Sequence, residues 1–158
     1  MIVNYNNIAH NALYIKSIIK ETKLCAVVKA NAYGHGIVET ARVLKEIVNY
    51  FAVFTLEEAQ AIDDINVKIL ILQPLSEQDL LVAISRGYEV SVDSFTSLTR
   101  TLKVAKAIGA RAKIHIKLDT GMHRFGFFSE QVEDLLEYLC SNYAYVKVCG
   151  IYSHFSSS

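Results

Sequence analysis

Ala26-Val27-Val28-Lys29-Ala30-Asn31-Ala32-Tyr33-Gly34-His35-Gly36 runs from an apolar stretch into a lysine and then into a loop of small residues. The run Leu24–Lys29 predicts a short strand, largely apolar because both of its faces are covered. After Gly34 and Gly36, the segment Ile37–Val48 predicts a helix. Strand, loop and helix in that order make one βα unit.

The same alternation repeats along the chain. Further strands are predicted at Phe51–Phe54, Lys68–Leu72, Glu89–Val92, Ala112–Leu118 and Val146–Tyr152. The helices between them carry their own start and stop signals. Asn6 or Asn7 opens a first helix whose stripe is Ile8, Leu13, Ile15, Ile18 and Ile19. Thr55 precedes Leu56–Ile62, with Glu58 at capping-box spacing. Glu77–Arg86 stops at Gly87, and a helix capped by Asp93 or Ser94 runs to Ile108 before Gly109. The last helix is Ser129–Tyr143.

Repeated βα units imply an α/β fold with a parallel sheet. A doubly wound sheet would need a Gly-x-Gly-x-x-Gly or Walker loop, and neither occurs. The reading is a (β/α)8 TIM-type barrel, present as an incomplete barrel of about six βα units. A complete barrel takes about 250 residues, against 158 here. Residues 1–158 are therefore expected to be the N-terminal part of a barrel, without a C-terminal β domain.

Composition excludes several function classes. Sixteen basic and sixteen acidic side chains give a formal net charge of zero, which points away from nucleic acid and anionic membranes. No stretch approaches the roughly 20 apolar residues that span a bilayer, and residues 1–8 do not read as a signal peptide. Cys25, Cys140 and Cys149 show no metal-ligand spacing, so no metal is expected. Cys25 and Cys149 lie in apolar runs and are expected as small buried hydrophobes, in a reducing, cytoplasmic setting.

The chemistry-bearing residues collect where predicted strands end. In a parallel barrel the C-terminal strand ends line the active site, and Lys29 stands at one. A lysine partly enclosed by apolar surface is suited to join a carbonyl as a Schiff base. Spacing alone leaves open that Lys29 is a solvated residue at a strand end, and His35 alone reads as structural. A second cluster, Lys117-Leu118-Asp119-Thr120-Gly121-Met122-His123-Arg124-Phe125-Gly126, follows the fifth predicted strand. Alone it is equally a salt-bridged surface loop. Gly150-Ile151-Tyr152-Ser153-His154-Phe155 ends the sixth.

Together these segments resemble the alanine racemase family of fold-type III pyridoxal phosphate enzymes. Val28 to Gly36 is similar to the family's lysine signature, Asp119 to Gly126 to its Asp-Thr-Gly-Met-x-Arg-x-Gly motif, and Gly150 to Phe155 to its Gly-x-x-(Ser/Thr)-His-Phe strand end. His10-Asn11 resembles a further motif near the family's start. Leu72-Gln73-Pro74-Leu75 departs from the glycine often found there.

The resemblance implies that Lys29 binds pyridoxal 5'-phosphate and serves as one of two catalytic bases. It implies that Tyr33 contacts the cofactor phosphate. Arg124 would bind the cofactor's phenolic oxygen and orient the substrate carboxylate, and His154 would stack on the pyridine ring. Lys117 matches a lysine that is carbamylated in some members. The implied activity is interconversion of L-alanine and D-alanine, supplying D-alanine for peptidoglycan, by a homodimer.

The family's second base is a tyrosine of its C-terminal domain, which has no match here. The chain alone is therefore expected to be a truncated and inactive form. Alternatives are a serine or broad-specificity racemase, or a non-catalytic pyridoxal phosphate homeostasis protein. The latter's lysine segment lacks the Asn-Ala-Tyr-Gly-His-Gly continuation.

Overall fold

The computed structural model describes residues 2–157. The chain divides into two compact units, Met1–Leu72 and Gln73–Ser158.

The first unit holds three parallel strands in chain order: β1 (Cys25–Val27), β2 (Tyr50–Val53) and β3 (Lys68–Ile71). Its helices are α1 (Tyr5–Ile19), a single turn α2 (Lys29–Tyr33), α3 (Ile37–Leu44) and α4 (Leu56–Ala61). Phe51, Val53 and Ile71 are fully covered, together with Ala41 and Ala59 from the helices and Ile62 just past α4. The predicted capping box opens α4. Thr55 Oγ1 accepts from the Glu58 N–H at 3.3 Å, and the Glu58 carboxylate reaches back to the Thr55 N–H at 3.4 Å.

Several expectations for this unit are corrected. The first helix begins earlier than predicted, because Asn4 is its cap and accepts from the Asn6 N–H at 3.1 Å. Its covered residue is Ala12, with Ile8 and Ile19 half-buried, whereas Leu13, Ile15 and Ile18 are exposed. The covered positions Ile8, Ala12 and Ile19 fall on one helical face; Leu13 and Ile18 lie off that line, whereas Ile15 shares it and is still exposed. Cys25 is exposed rather than buried, because β1 is the end strand of its unit.

The second unit repeats the pattern with β4 (Glu89–Val92), β5 (Ala112–Lys117) and β6 (Val146–Tyr152), again parallel and in order. Its helices are α5 (Glu77–Ser85), α6 (Phe95–Ala107) and α7 (Val132–Ser141). Ser94 caps α6, as predicted, through the Ser97 N–H at 3.2 Å. The strands carry two different faces. Val90, Val92, Ile114 and Ile116 form an apolar row buried in the unit's core. The alternate residues are polar and still covered: Glu89, Ser91 and Lys117 are buried, and His115 and Tyr152 half-buried.

Buried polar groups must be paired, and these are. His115 Nε2 meets the Glu89 carboxylate, and the Ser91 and Tyr152 hydroxyls share a hydrogen bond of 2.6 Å. Cys149 is half-buried, not fully buried as expected, because β6 is the end strand here. No helix among the described residues is long and apolar enough to cross a membrane.

Candidate functional site

In the first unit the β1–β2 ladder closes at Val28, whose N–H donates to the Ala52 carbonyl at 2.9 Å. The strand therefore stops before Lys29, not at it. Beyond this point the chain turns left-handed: Ala30, Asn31, Ala32 and Tyr33 have φ of 52°, 54°, 52° and 55°. None is glycine, and each such residue costs roughly 1–2 kcal/mol. A four-residue left-handed turn persists only where its surroundings over-determine it.

Those surroundings are visible. The Ala32 N–H donates to the Val28 carbonyl at 2.8 Å, and the Asn31 carbonyl takes the Gly34 and Gly36 N–H groups at 3.0 Å each. The Asn31 side chain accepts the Ile37 N–H at 2.8 Å, which opens α3. The Ala30 N–H donates to Glu58 Oε1 at 2.6 Å.

This turn projects Lys29 and Tyr33. Lys29 is half-buried, and its ammonium lies 5.7 Å from the Phe54 ring centroid. Among the described residues no hydrogen bond or ion pair engages that amine. An amine against an aromatic face, uncommitted to a carboxylate, is chemically free to join an aldehyde. Tyr33 is 62% exposed, which leaves its hydroxyl open to a ligand.

In the second unit β5 delivers the other cluster. The chain leaves β5 at Lys117, loops through Arg124 and returns alongside it. The Phe127 N–H donates to the Lys117 carbonyl and the Asp119 N–H to the Phe127 carbonyl, both at 2.9 Å. Lys117 is 7% exposed, and its amine donates to the Phe125 carbonyl at 2.6 Å. It thus pins the residue next to Arg124. Arg124 is exposed, with its guanidinium carbon 5.7 Å from the Phe125 ring centroid. His154 is also exposed, two residues past β6. The Thr120 and Ser153 hydroxyls hydrogen-bond, so the structure ties the Arg124 loop to the His154 segment.

Asp119 shapes the loop's first turn. Its Oδ1 accepts from the Gly121 and His123 N–H groups at 3.0 Å each. The Gly121 bond, then the His123 bond, hold its carboxyl below the usual carboxylate range. A carboxyl depressed in the folded state stabilises that state above the unfolded value, about 3.9, and loses the contribution as pH falls through the lowered value. The amide resonances of Gly121 and His123 are therefore expected to hold their positions down to about pH 4 and to move only below it. A midpoint above the ordinary carboxylate range would contradict this arrangement.

Several residues here were not singled out from sequence. Phe54 lies at the end of an apolar strand like many others, and nothing local marks it as the neighbour of Lys29. Glu58 was identified as a cap, but its bond to Ala30 spans 28 residues. Glu89 and His115 carried a signal that was available, a charged and a titratable residue inside otherwise apolar strands.

In the first unit Lys29 offers an amine able to join an aldehyde and Tyr33 an exposed phenol, and in the second unit Arg124 offers an exposed guanidinium and His154 an exposed imidazole. The sequence profile described as "Alanine racemase, N-terminal domain" matches residues 3–158. Alanine racemase of Fusobacterium nucleatum is 38% identical over 159 residues, covering 99% of this chain and 43% of that protein. That of Clostridium kluyveri is 35% identical, with 99% and 41% covered. The solved structure of alanine racemase from D-cycloserine-producing Streptomyces lavendulae superposes with a TM-score of 0.88 at 30% identity, covering 96% of this chain and 41% of that one. The chain thus spans less than half the length of these relatives, and within that span its α/β fold is the N-terminal portion of their TIM-type barrel. The chain belongs to the alanine racemase N-terminal domain family.

Proposed function

We propose that this chain is the cofactor-carrying part of a pyridoxal phosphate-dependent alanine racemase, which interconverts L-alanine and D-alanine. The observation that carries the reading is Lys29: an amine uncommitted to any carboxylate, held against Phe54 by a left-handed turn, in a sequence that matches the family throughout. When bound, the cofactor supplies an electron sink for charge that develops at the substrate's α-carbon.

The chain's residues then take separate roles. The Lys29 amine would hold the cofactor, and as a base it would take or return the substrate's α-proton on one face. The exposed Tyr33 hydroxyl would donate to the phosphate. The Arg124 guanidinium, whose charge is fixed and whose donors are rigidly forked, would bind the phenolic oxygen and orient the substrate carboxylate. The His154 imidazole would pack against the ring. Lys117 as a free amine already pins Phe125, and carbamylation would give it two oxygens aimed at the Arg124 loop. The wider reading is a cytoplasmic homodimer that supplies D-alanine for peptidoglycan, with the second base coming from outside these 158 residues.

The test is covalent trapping. The chain is incubated with pyridoxal phosphate, reduced with borohydride and mapped by peptide mass. The expected result is a pyridoxyl group on Lys29. Label spread over exposed lysines, with none preferred, would remove the basis for the reading. In the companion assay the 158-residue chain is expected to convert L-alanine to D-alanine at or near background, because one base serves only one face. Fast turnover of L-serine but not L-alanine by a longer form would redirect the substrate assignment.

A further inference from the structure

We propose that Glu58 is a positioning residue for Lys29, its carboxylate clamping the two strand ends between which the lysine amine stands. This rests on the reading of Lys29 as the cofactor-bearing lysine.

The β1–β2 ladder ends with the Val28 N–H on the Ala52 carbonyl, which leaves the next backbone donors on both strands without a ladder partner. Glu58 takes both. Its Oε1 accepts the Ala30 N–H at 2.6 Å, and its Oε2 accepts the Phe54 N–H at 2.7 Å. Ala30 directly follows Lys29, and the Phe54 ring is what the Lys29 ammonium faces. One carboxylate thus fixes the backbone beside the lysine and the aromatic surface under its amine. Both bonds are short and charge-assisted, the stronger class of hydrogen bond. Ala30 is also the first residue of the left-handed turn, so the clamp acts where the backbone departs from its ordinary conformation.

A capping role alone does not require this. The capping box needs one acceptor on the Thr55 side, and glutamine serves there as well as glutamate. The second oxygen, on Ala30, is surplus to the cap. Glu58→Gln separates the two roles: its single carbonyl oxygen can keep the Phe54 and Thr55 side, while its NH2 group confronts the Ala30 N–H, donor against donor.

The experiment measures two things on the chain and on Glu58→Gln. Amide hydrogen exchange is followed at Ala30 and across residues 2–72, and the rate of borohydride-trapped pyridoxyl incorporation is followed at Lys29. Expected are exchange about tenfold faster at Ala30, with the α4 amides unchanged, and labelling of Lys29 slower by about tenfold. Labelling of Glu58→Gln at the unsubstituted rate would overturn the proposal. So would a uniform rise in exchange over the whole unit, since that would make Glu58 a stability residue only. If the unsubstituted chain takes no label on Lys29, the cofactor reading fails instead, and the two failures are told apart by which protein lacks the label.

Discussion

Lys29→Arg is expected to eliminate pyridoxyl labelling at position 29 while leaving the melting temperature nearly unchanged, and, in a longer form that carries both bases, to lower racemisation by at least about a thousandfold. Arginine keeps the positive charge and can still lie over the Phe54 ring, so the fold loses little. Its guanidinium does not give up a proton near neutral pH and cannot join an aldehyde as an amine does. The substitution therefore removes both tasks assigned to Lys29, covalent attachment and proton transfer, without opening a cavity. Labelling and thermal melts are measured on the chain, and D-alanine formation on the longer form with and without the substitution. Retained turnover in Lys29→Arg would mean that another group carries the base, and the assignment of Lys29 would fall.

Gly126→Ala is expected to destabilise the second unit by about 2–4 kcal/mol, lowering its melting temperature by roughly 5–15 °C. Gly126 has φ of 133°, a region that L side chains rarely adopt. A Cβ there would stand 2.5 Å from the Asp119 nitrogen and 2.6 Å from the Leu118 carbonyl carbon. Both neighbours are backbone, so no side chain can rotate away. The loop cannot swing outward either, because the next residue, Phe127, is 1% exposed and packs edge-on against Phe95 with centroids 5.3 Å apart. Relief must come from breaking the two 2.9 Å bonds that hold the segment alongside β5, and Arg124 would move with it. A melting temperature within about 1 °C of the unsubstituted chain would show that the loop is looser than this close approach requires.

The origin of each feature follows from how far its causes lie apart along the chain. The alternation of βα units, the Thr55–Glu58 and Ser94 caps and the positions of the three motifs are written in residues within a few places of one another. Hydrophobic period and capping act over that range, so the sequence by itself determined the fold class, while the candidate residues Lys29, Tyr33, Lys117, Arg124 and His154 came from the resemblance of the three motifs to the family. The left-handed turn was not legible, because Ala30-Asn31-Ala32-Tyr33 contains no glycine, and only Asn31 among the four has a local tolerance of positive φ. The same holds for the exposure of Cys25 and of Leu13, Ile15 and Ile18 in α1, since burial depends on what packs against a residue and not on its own polarity. Only the tertiary structure decided where the Lys29 amine stands. It is set by a carboxylate 29 residues away, which accepts the Ala30 and Phe54 N–H groups where the two strands part.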